Sequence, residues 1–372
     1  MATQTTEDTF FEGKRPWSVV KDQVIGAYIK PFTRKVAVLG HPILIIDAFA
    51  GPGVFEDGKP GSPLIICNAA SGVKALWQAV FINQNKEHHE RLQSILRKGG
   101  WLTHASPLLG ESRTTLQTKL ESLTNETVFL YLDPFGLKGF DFGIVSKYLE
   151  RAKSEHRTEV VINMSMPTLH RLATVQAIMD GKRDDPQIDA LNRTLSNALG
   201  GRWWQEIMWT KEEPHIKEKA VMEYFMRQLS DYLPYTGYCP VRESADAAVK
   251  YYITFASAHP DAQAIMSDEM LKAYEKYIFG VKTGGQQSFL DWKAGRDLAG
   301  LEQTIIQTVQ NNPNQSRQAI WLLIVRDNFM KWLREDYHDA LKRLADQNKL
   351  VYRVDPKTGR RNQHSILSLA TN

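Results

Sequence analysis

The sequence predicts an α/β fold on a largely parallel sheet, broken by a helical insertion and followed by a small helical unit that ends in a hairpin. Three observations predict it. Short apolar runs of strand length recur along the first 260 residues with helical stretches between them. The first run ends in an acid and a glycine turn. The last 80 or so residues change character, with helical segments leading into two short strands around a turn-rich, basic tip.

Taken in order, Trp17 to Leu39 reads as a helix, with Val20, Val24, Ile25, Tyr28 and Ile29 at three-to-four spacing and Pro31 expected to kink or end its first segment. PILIIDAFAG follows, too short for a helix and apolar on both faces, as a buried parallel strand is. Further strands are expected at Ala79–Asn83, Thr127–Asp133, Glu159–Met164 and Tyr251–Ser257, with helices at Lys86–Arg97 and Ser112–Leu123. From about 166 to 240 the chain is helix-rich and carries Trp203, Trp204 and Trp209, and it reads as an insertion or lid. The tryptophans are open to two roles, core packing or stacking on bases. TGGQQ from Thr283 is a plausible linker. It places a first domain at 1–285 and a second at 290–372, where helices precede strands at Leu350–Val354 and Ser365–Leu369.

The composition narrows the function classes. With 42% hydrophobic and 24% charged residues the chain is neither disordered, collagen-like nor a coiled-coil rod. Two cysteines, Cys67 and Cys239, make neither a disulfide framework nor a CxxC metal knuckle, and a reducing cytosol is the expected compartment. The most apolar early stretch, Val36–Ala50, is interrupted by Gly40, His41 and Pro42 and falls short of the roughly 20 residues a membrane span needs. No basic start with an apolar h-region opens the chain, and an unprocessed, cytoplasmic protein is expected.

Chemistry concentrates in two loops. Asp47-Ala-Phe49-Ala-Gly51-Pro-Gly53 puts an acid at a strand end ahead of two glycines that let the backbone turn sharply against a ligand, with a helix start to follow. The pattern D-x-F-x-G-x-G resembles motif I of S-adenosylmethionine-dependent methyltransferases, which implies that Asp47, Phe49, Gly51 and Gly53 hold that cofactor. Asp133-Pro134-Phe135-Gly136 ends a later strand. Open parallel sheets bind ligands beyond the carboxyl ends of their strands, so both loops can face one cleft. This second motif resembles motif IV of amino-methyltransferases, and more narrowly the DPFG of tRNA guanine-N2 dimethyltransferases. A nucleobase exocyclic amine is a poor nucleophile because its lone pair is delocalised into the ring. An acid and a backbone carbonyl that accept its N–H bonds can aim the lone pair, while an aromatic ring stacks on the base. The resemblance gives the first role to Asp133 and Pro134 and the second to Phe135. Where such enzymes carry an acid for the ribose hydroxyls this chain has Asn83, with Gln84 and Asn85 behind it, so Asn83 is the expected ribose contact, without charge assistance.

The ordered series KRPWSVVKDQVIGAYIKPF, IIDAFAGPGVFEDGKPGSP, LYLDPFG, VVINMS and YYITFASAHPDAQAIM resembles the three-Cys-motif partner (TcmP) family over roughly residues 14–369. The resemblance implies a Rossmann-like class I methyltransferase sheet with a helical insertion, plus a C-terminal winged helix-turn-helix. It also implies a partner, a three-Cys-motif, radical-SAM-like protein encoded nearby. Weaker motifs read as structural: Gly61-Ser62-Pro63 as a turn, with packing beside the cofactor loop as the alternative, Ser257-Ala-His259 as a strand end without a nucleophile elbow, and His88-His89 as exposed neighbours without metal spacing. Asn163 reads as a strand cap or a cleft-rim residue.

The formal charge of +4 is small, yet from Asp291 to Asn372 thirteen Lys and Arg face nine Asp and Glu, so the tail holds the whole excess. Lys342 and Arg343 on the last helix and Lys357, Arg360 and Arg361 at the hairpin tip are suited to phosphate contacts, as the wing of a winged helix is. The expected function is methylation of an exocyclic amine of DNA or RNA. The rival readings are a non-catalytic partner of the three-Cys-motif protein and a DNA-binding regulator.

Overall fold

The computed structural model describes residues 18–155, 158–181, 185–244, 246–283, 296–355, 357–358, 360 and 362–370. The chain divides into two compact units, Met1–His259 and Pro260–Asn372.

The first unit holds a seven-stranded sheet in the order β3-β2-β1-β4-β5-β7-β6. Its strands are β1 (Ile43–Asp47), β2 (Trp77–Asn83), β3 (Ala105–Leu109), β4 (Thr127–Leu132), β5 (Thr158–Ser165), β6 (Tyr235–Arg242) and β7 (Val249–Ser257). β1 to β5 are parallel, and β7 runs antiparallel between β5 and β6. This is the Rossmann-like class I sheet the sequence predicts, with the strand order reversing at β1 and β4, where such folds bind their ligands. Both central strands are buried along their whole length, as strands covered by helices on two faces must be. Alternate residues serve opposite faces. Leu44, Ile46, Val80, Ile82, Val128, Leu130, Val160 and Ile162 share one core with Leu149 and the inserted helices. On the other face Phe129 and Phe255 meet Tyr28 at ring-centroid distances of 5.7 and 5.5 Å.

Tyr28 belongs to α1 (Ser18–Val38), which runs unbroken through Pro31 where the sequence suggests a kink or an end. Its stripe of Val24, Ile25, Tyr28, Ile29, Phe32 and Val36 is buried, and that burial outweighs the roughly 3 kcal/mol an interior proline costs. The crossover helices are α2 (Ser62–Ser71), α3 (Lys86–Lys98), α4 (Ser112–Glu121) and α5 (Phe142–Glu155). The insertion is α6 (Met166–Ala173), α7 (Val175–Met179), α8 (Pro186–Leu199), α9 (Trp204–Met208) and α10 (Pro214–Ser230). It ends before 240, because 235–242 forms edge strand β6. The tryptophans there pack: Trp204 is fully buried, Trp203 stacks on Tyr224 at 4.0 Å, and Trp209 Nε1 donates to Ala173 O at 2.9 Å.

The second unit begins with α11 (Pro260–Thr283), ahead of the expected 285–290 boundary. α11 belongs with it because Ala264 sits in its core and Ser267 Oγ and Asp268 Oδ1 accept the amides of Met330 and Arg334 at 2.8 and 3.1 Å. There follow α12 (Leu298–Asn311), α13 (Arg317–Asp327), α14 (Arg334–Asp346) and the antiparallel pair β8 (Leu350–Arg353) and β9 (Ile366–Leu369). Ser316, just before α13, makes a further antiparallel bridge to Ile366. Among the described residues no helix is long and apolar enough to cross a membrane.

Candidate functional site

The loops after β1, β2, β4 and β5 line one cleft of about 540 Å³, within the size range of small-molecule sites. The parallel register explains the convergence: Asp47 lies level with Phe81 and with Tyr131, so the segments that follow leave the sheet at one edge. Phe49, Gly51, Gly53, Asn83, Asp133, Pro134 and Phe135 all line the cleft.

The glycine turn does not run straight into a helix. Gly53 takes φ +87°, a small excursion closed by a Val54–Pro60 bridge follows, and the Gly61 amide then donates to Gly53 O at 2.8 Å. That bond returns the start of α2, and Ser62 with it, to the cleft wall. Asp47 lies behind this wall, fully buried, accepting from Ser62 Oγ at 2.7 Å and from the Phe49 amide at 3.2 Å. Asp47 thus holds the glycine turn through the Phe49 amide and the start of α2 through Ser62, which places Gly61-Ser62-Pro63 beside that turn.

Burial pushes the Asp47 carboxyl up to about 7, against the Ser62 and Phe49 hydrogen bonds, which pull it down. Glu159, half-buried and bonded by Tyr28 Oη of α1 at 2.5 Å, is also pushed to about 7, chiefly by desolvation. A carboxyl that holds its proton more tightly folded than unfolded stabilises the fold at low pH. That stability is lost as pH rises from about 4 through about 7. Asp47→Asn is therefore expected to flatten the fall in unfolding free energy between pH 4 and 8 by about 4 kcal/mol, read from urea midpoints at each pH. An unchanged slope would show that Asp47 is not protonated in this window.

Asn83 lines the cleft, but its amide is turned onto the backbone. Nδ2 donates to Ala50 O at 2.6 Å and Oδ1 accepts the Asn85 amide at 2.9 Å. It pins the β1 loop to the end of β2, and Asn85 caps α3 through the His88 amide.

Asp133 is held by two side chains from different elements. Lys21 Nζ, on α1, donates to its Oδ2 at 2.5 Å, and Tyr131 Oη donates to the same oxygen at 3.2 Å. Asn163 Nδ2 in turn donates to Tyr131 Oη at 3.1 Å. Among the described residues nothing is seen to bond Asp133 Oδ1. Asn163 Oδ1 is buried in the cleft wall with no hydrogen-bond partner among them. An orphaned buried acceptor costs about 1–3 kcal/mol and calls for a donor from a ligand or water. Phe135 is 40% exposed at the mouth. Gly136 turns back at φ +72°, where a Cβ would stand 2.9 Å from Thr168 Oγ1.

The sequence reading leaves out Lys21, Asp22, Tyr131, Arg171 and Lys250, all but Tyr131 lining this cleft. One signal was available for Lys21: it lies four and seven residues before the buried Ile25 and Tyr28, a charge on an apolar stripe.

In the second unit, Lys342, Lys357 and Arg360 are exposed, and Arg361 lies outside the described residues. Arg343 Nε donates to Glu302 Oε1 at 2.6 Å, which neutralises much of its charge. Among the described residues of the hairpin tip, Asp355 accepts from Thr358 Oγ1, Asn362 Nδ2 and the Lys357 amide.

No family model and no curated protein matches the sequence. Solved structures resemble it distantly. An O-methyltransferase from Bacillus cereus in complex with S-adenosylhomocysteine is 13% identical over 68% of this chain and 96% of its own, with a TM-score of 0.31. A S-adenosylhomocysteine-bound methyltransferase from Podospora anserina is 11% identical over 62% of this chain and 77% of its own, at 0.30. A methyltransferase from Geobacter sulfurreducens is 10% identical over 68% and 84%, at 0.29.

Proposed function

We propose that the first unit is an S-adenosylmethionine-dependent methyltransferase that transfers a methyl group to an exocyclic amine of a nucleobase. One arrangement supports this reading. Asp133 has one carboxylate oxygen fixed by Lys21 and Tyr131 and the other left for a donor, in the cleft that the glycine turn also lines.

The cleft fits the cofactor by its volume, by a glycine turn that brings bare backbone to the wall, and by a serine hydroxyl held from behind by Asp47. Gly51 to Gly53, Phe49 and Ser62 would hold it. When bound it supplies an already activated methyl group, so the protein's task is positioning. Asp133 Oδ1 and the Pro134 carbonyl accept the two N–H bonds of the target amine, which directs its lone pair, and Phe135 offers its exposed ring to the base. Lys21 and Tyr131 prevent Asp133 from rotating away. The charge excess of the second unit, together with helices α12 to α14, the β8–β9 hairpin and the Ser316–Ile366 bridge, supports a winged helix that brings nucleic acid to the protein.

Asn83 supports a second reading, a non-catalytic partner of a three-Cys-motif, radical-SAM-like protein, since its amide is committed to the backbone where a ribose-binding acid is usual. Two measurements separate the readings. Calorimetry is expected to show S-adenosylmethionine binding at micromolar to millimolar ligand. Tritiated methyl transfer to total RNA and genomic DNA, followed by nuclease digestion, is expected to label a base amine. Binding without labelling of either nucleic acid would overturn the enzyme, and no binding at millimolar ligand would overturn the cofactor site.

A further inference from the structure

The second unit contains a small cavity of about 190 Å³ between the starts of α13 and α14, lined by Arg317, Gln318, Trp321, Arg334, Tyr337, His338 and Gln363. Its wall presents more donors than acceptors. Gln318 Oε1 is taken by Arg334 Nη2, Gln318 Nε2 donates to Asp261 Oδ1 at 2.6 Å, and Tyr337 Oη donates to Arg317 O at 2.8 Å. The first-turn amides are also occupied: Arg317 N bonds Ser365 O, Gln318 N bonds Gln363 O, and Arg334 N bonds Asp268 Oδ1. Two side-chain donors are left over. Trp321 is 1% exposed and its Nε1–H is buried without an acceptor among the described residues, and the Nε–H of Arg317, one turn earlier, is in the same position.

We infer that this cavity is an oxyanion site for a phosphoryl group, bound by Arg317 Nε and Trp321 Nε1 from α13 with Arg334 from α14. Two buried N–H groups without acceptors, flanked by a second guanidinium, are an unfavourable arrangement in the empty state. Both are relieved by one tetrahedral anion, which accepts from several directions at once. Both helices begin at this wall, and their N-terminal dipoles add to the positive field. His338 stands at the exposed rim. Its imidazole is pushed down to about 4 by partial burial and then by Arg317 and Arg334, whose effect exceeds the opposite pull of Asp339. None of the basic residues expected to contact nucleic acid lines the cavity, so the site is additional to the hairpin tip and independent of the cleft chemistry in the first unit.

A phosphoryl group reaches this cavity either as a free phosphate or as part of a nucleic-acid backbone, and one experiment addresses both. In the full-length protein labelled with nitrogen-15, the indole resonance of Trp321 is followed on addition of inorganic phosphate, and separately of a short DNA or RNA duplex, with chloride holding ionic strength constant. Movement of that resonance at millimolar phosphate or micromolar duplex, weakened about tenfold or more in Arg317→Gln, supports the site. A response to phosphate alone identifies a free phosphoryl ligand, and a response to the duplex identifies backbone phosphate. Arg317→Lys keeps the charge but removes the Nε–H, and is expected to weaken the response less than Arg317→Gln. It serves as the test if the glutamine variant has lost the native circular dichroism. No movement with either probe, or movement that survives in Arg317→Gln, overturns the inference.

Discussion

Asp133→Ala is expected to lower methyl transfer by about 10²–10³-fold while S-adenosylmethionine affinity changes by less than about threefold. The split follows from the geometry. Asp133 follows β4, and in the proposed reaction its second oxygen would serve the amine, whereas the glycine turn and Ser62 belong to the segment after β1. A group that acts on the reacting atoms lowers kcat, and one that only binds substrate raises KM. The alanine variant also strips Lys21 of its partner, and the Lys21 side chain is only 11% exposed, so some loss of stability is expected from an uncompensated cation. Asp133→Asn separates the two effects, because it keeps an acceptor oxygen and the shape of the network but loses the charge. It should retain more activity than alanine. Alanine activity within tenfold of the parent would remove Asp133 from the reaction, and a large loss of cofactor affinity in both variants would make it structural.

What the sequence shows plainly is what burial writes into it. Fully buried parallel strands leave continuous apolar runs, and β1, β2, β4 and β5 lie where the sequence expects strands, as does the buried antiparallel β7. The two strands that escape are β3 and β6, the two edges of the sheet. Each contains a proline, Pro107 and Pro240, which is tolerated there because an edge strand has one side without a ladder partner. The site was legible to a similar depth. Loops that cradle a ligand with backbone and glycine announce themselves by composition, so the residues of DAFAGPG and DPFG are found together. The partners that set their chemistry come from elsewhere in the chain. Lys21 reaches Asp133 across 112 positions, and Asn163 reaches Tyr131 across 32, pairings that only the sheet order brings about. Asn83 shows the opposite limit: its position in the pattern is right, but the direction of an amide depends on which backbone atoms the fold puts beside it.

Gly53→Ala is expected to weaken S-adenosylmethionine binding by about ten- to a hundredfold and to lower stability by about 2 kcal/mol, whereas Gly58→Ala should cost about 1 kcal/mol and leave the affinity unchanged. The two glycines have nearly the same conformation, φ +87° and +79°, so both substitutions incur the same left-handed backbone penalty. They differ in what surrounds them. A Cβ on Gly58 meets nothing within 4 Å. One on Gly53 would stand 2.9 Å from Leu92 Cδ1 and 3.5 Å from Ile95 Cδ1, both on α3. Leu92 is fully buried, so its Cδ1 has packed neighbours to displace, and the strain is shared between the Leu92 side chain and the turn that forms the cleft wall. A shift of that turn also strains the Gly61 amide to Gly53 carbonyl bond that brings Ser62 to the site. Calorimetric titration of both variants, alongside urea unfolding, reads the two quantities separately. Equal affinities in Gly53→Ala and Gly58→Ala would mean that the turn does not hold the cofactor, whatever the first acid and the glycines resemble.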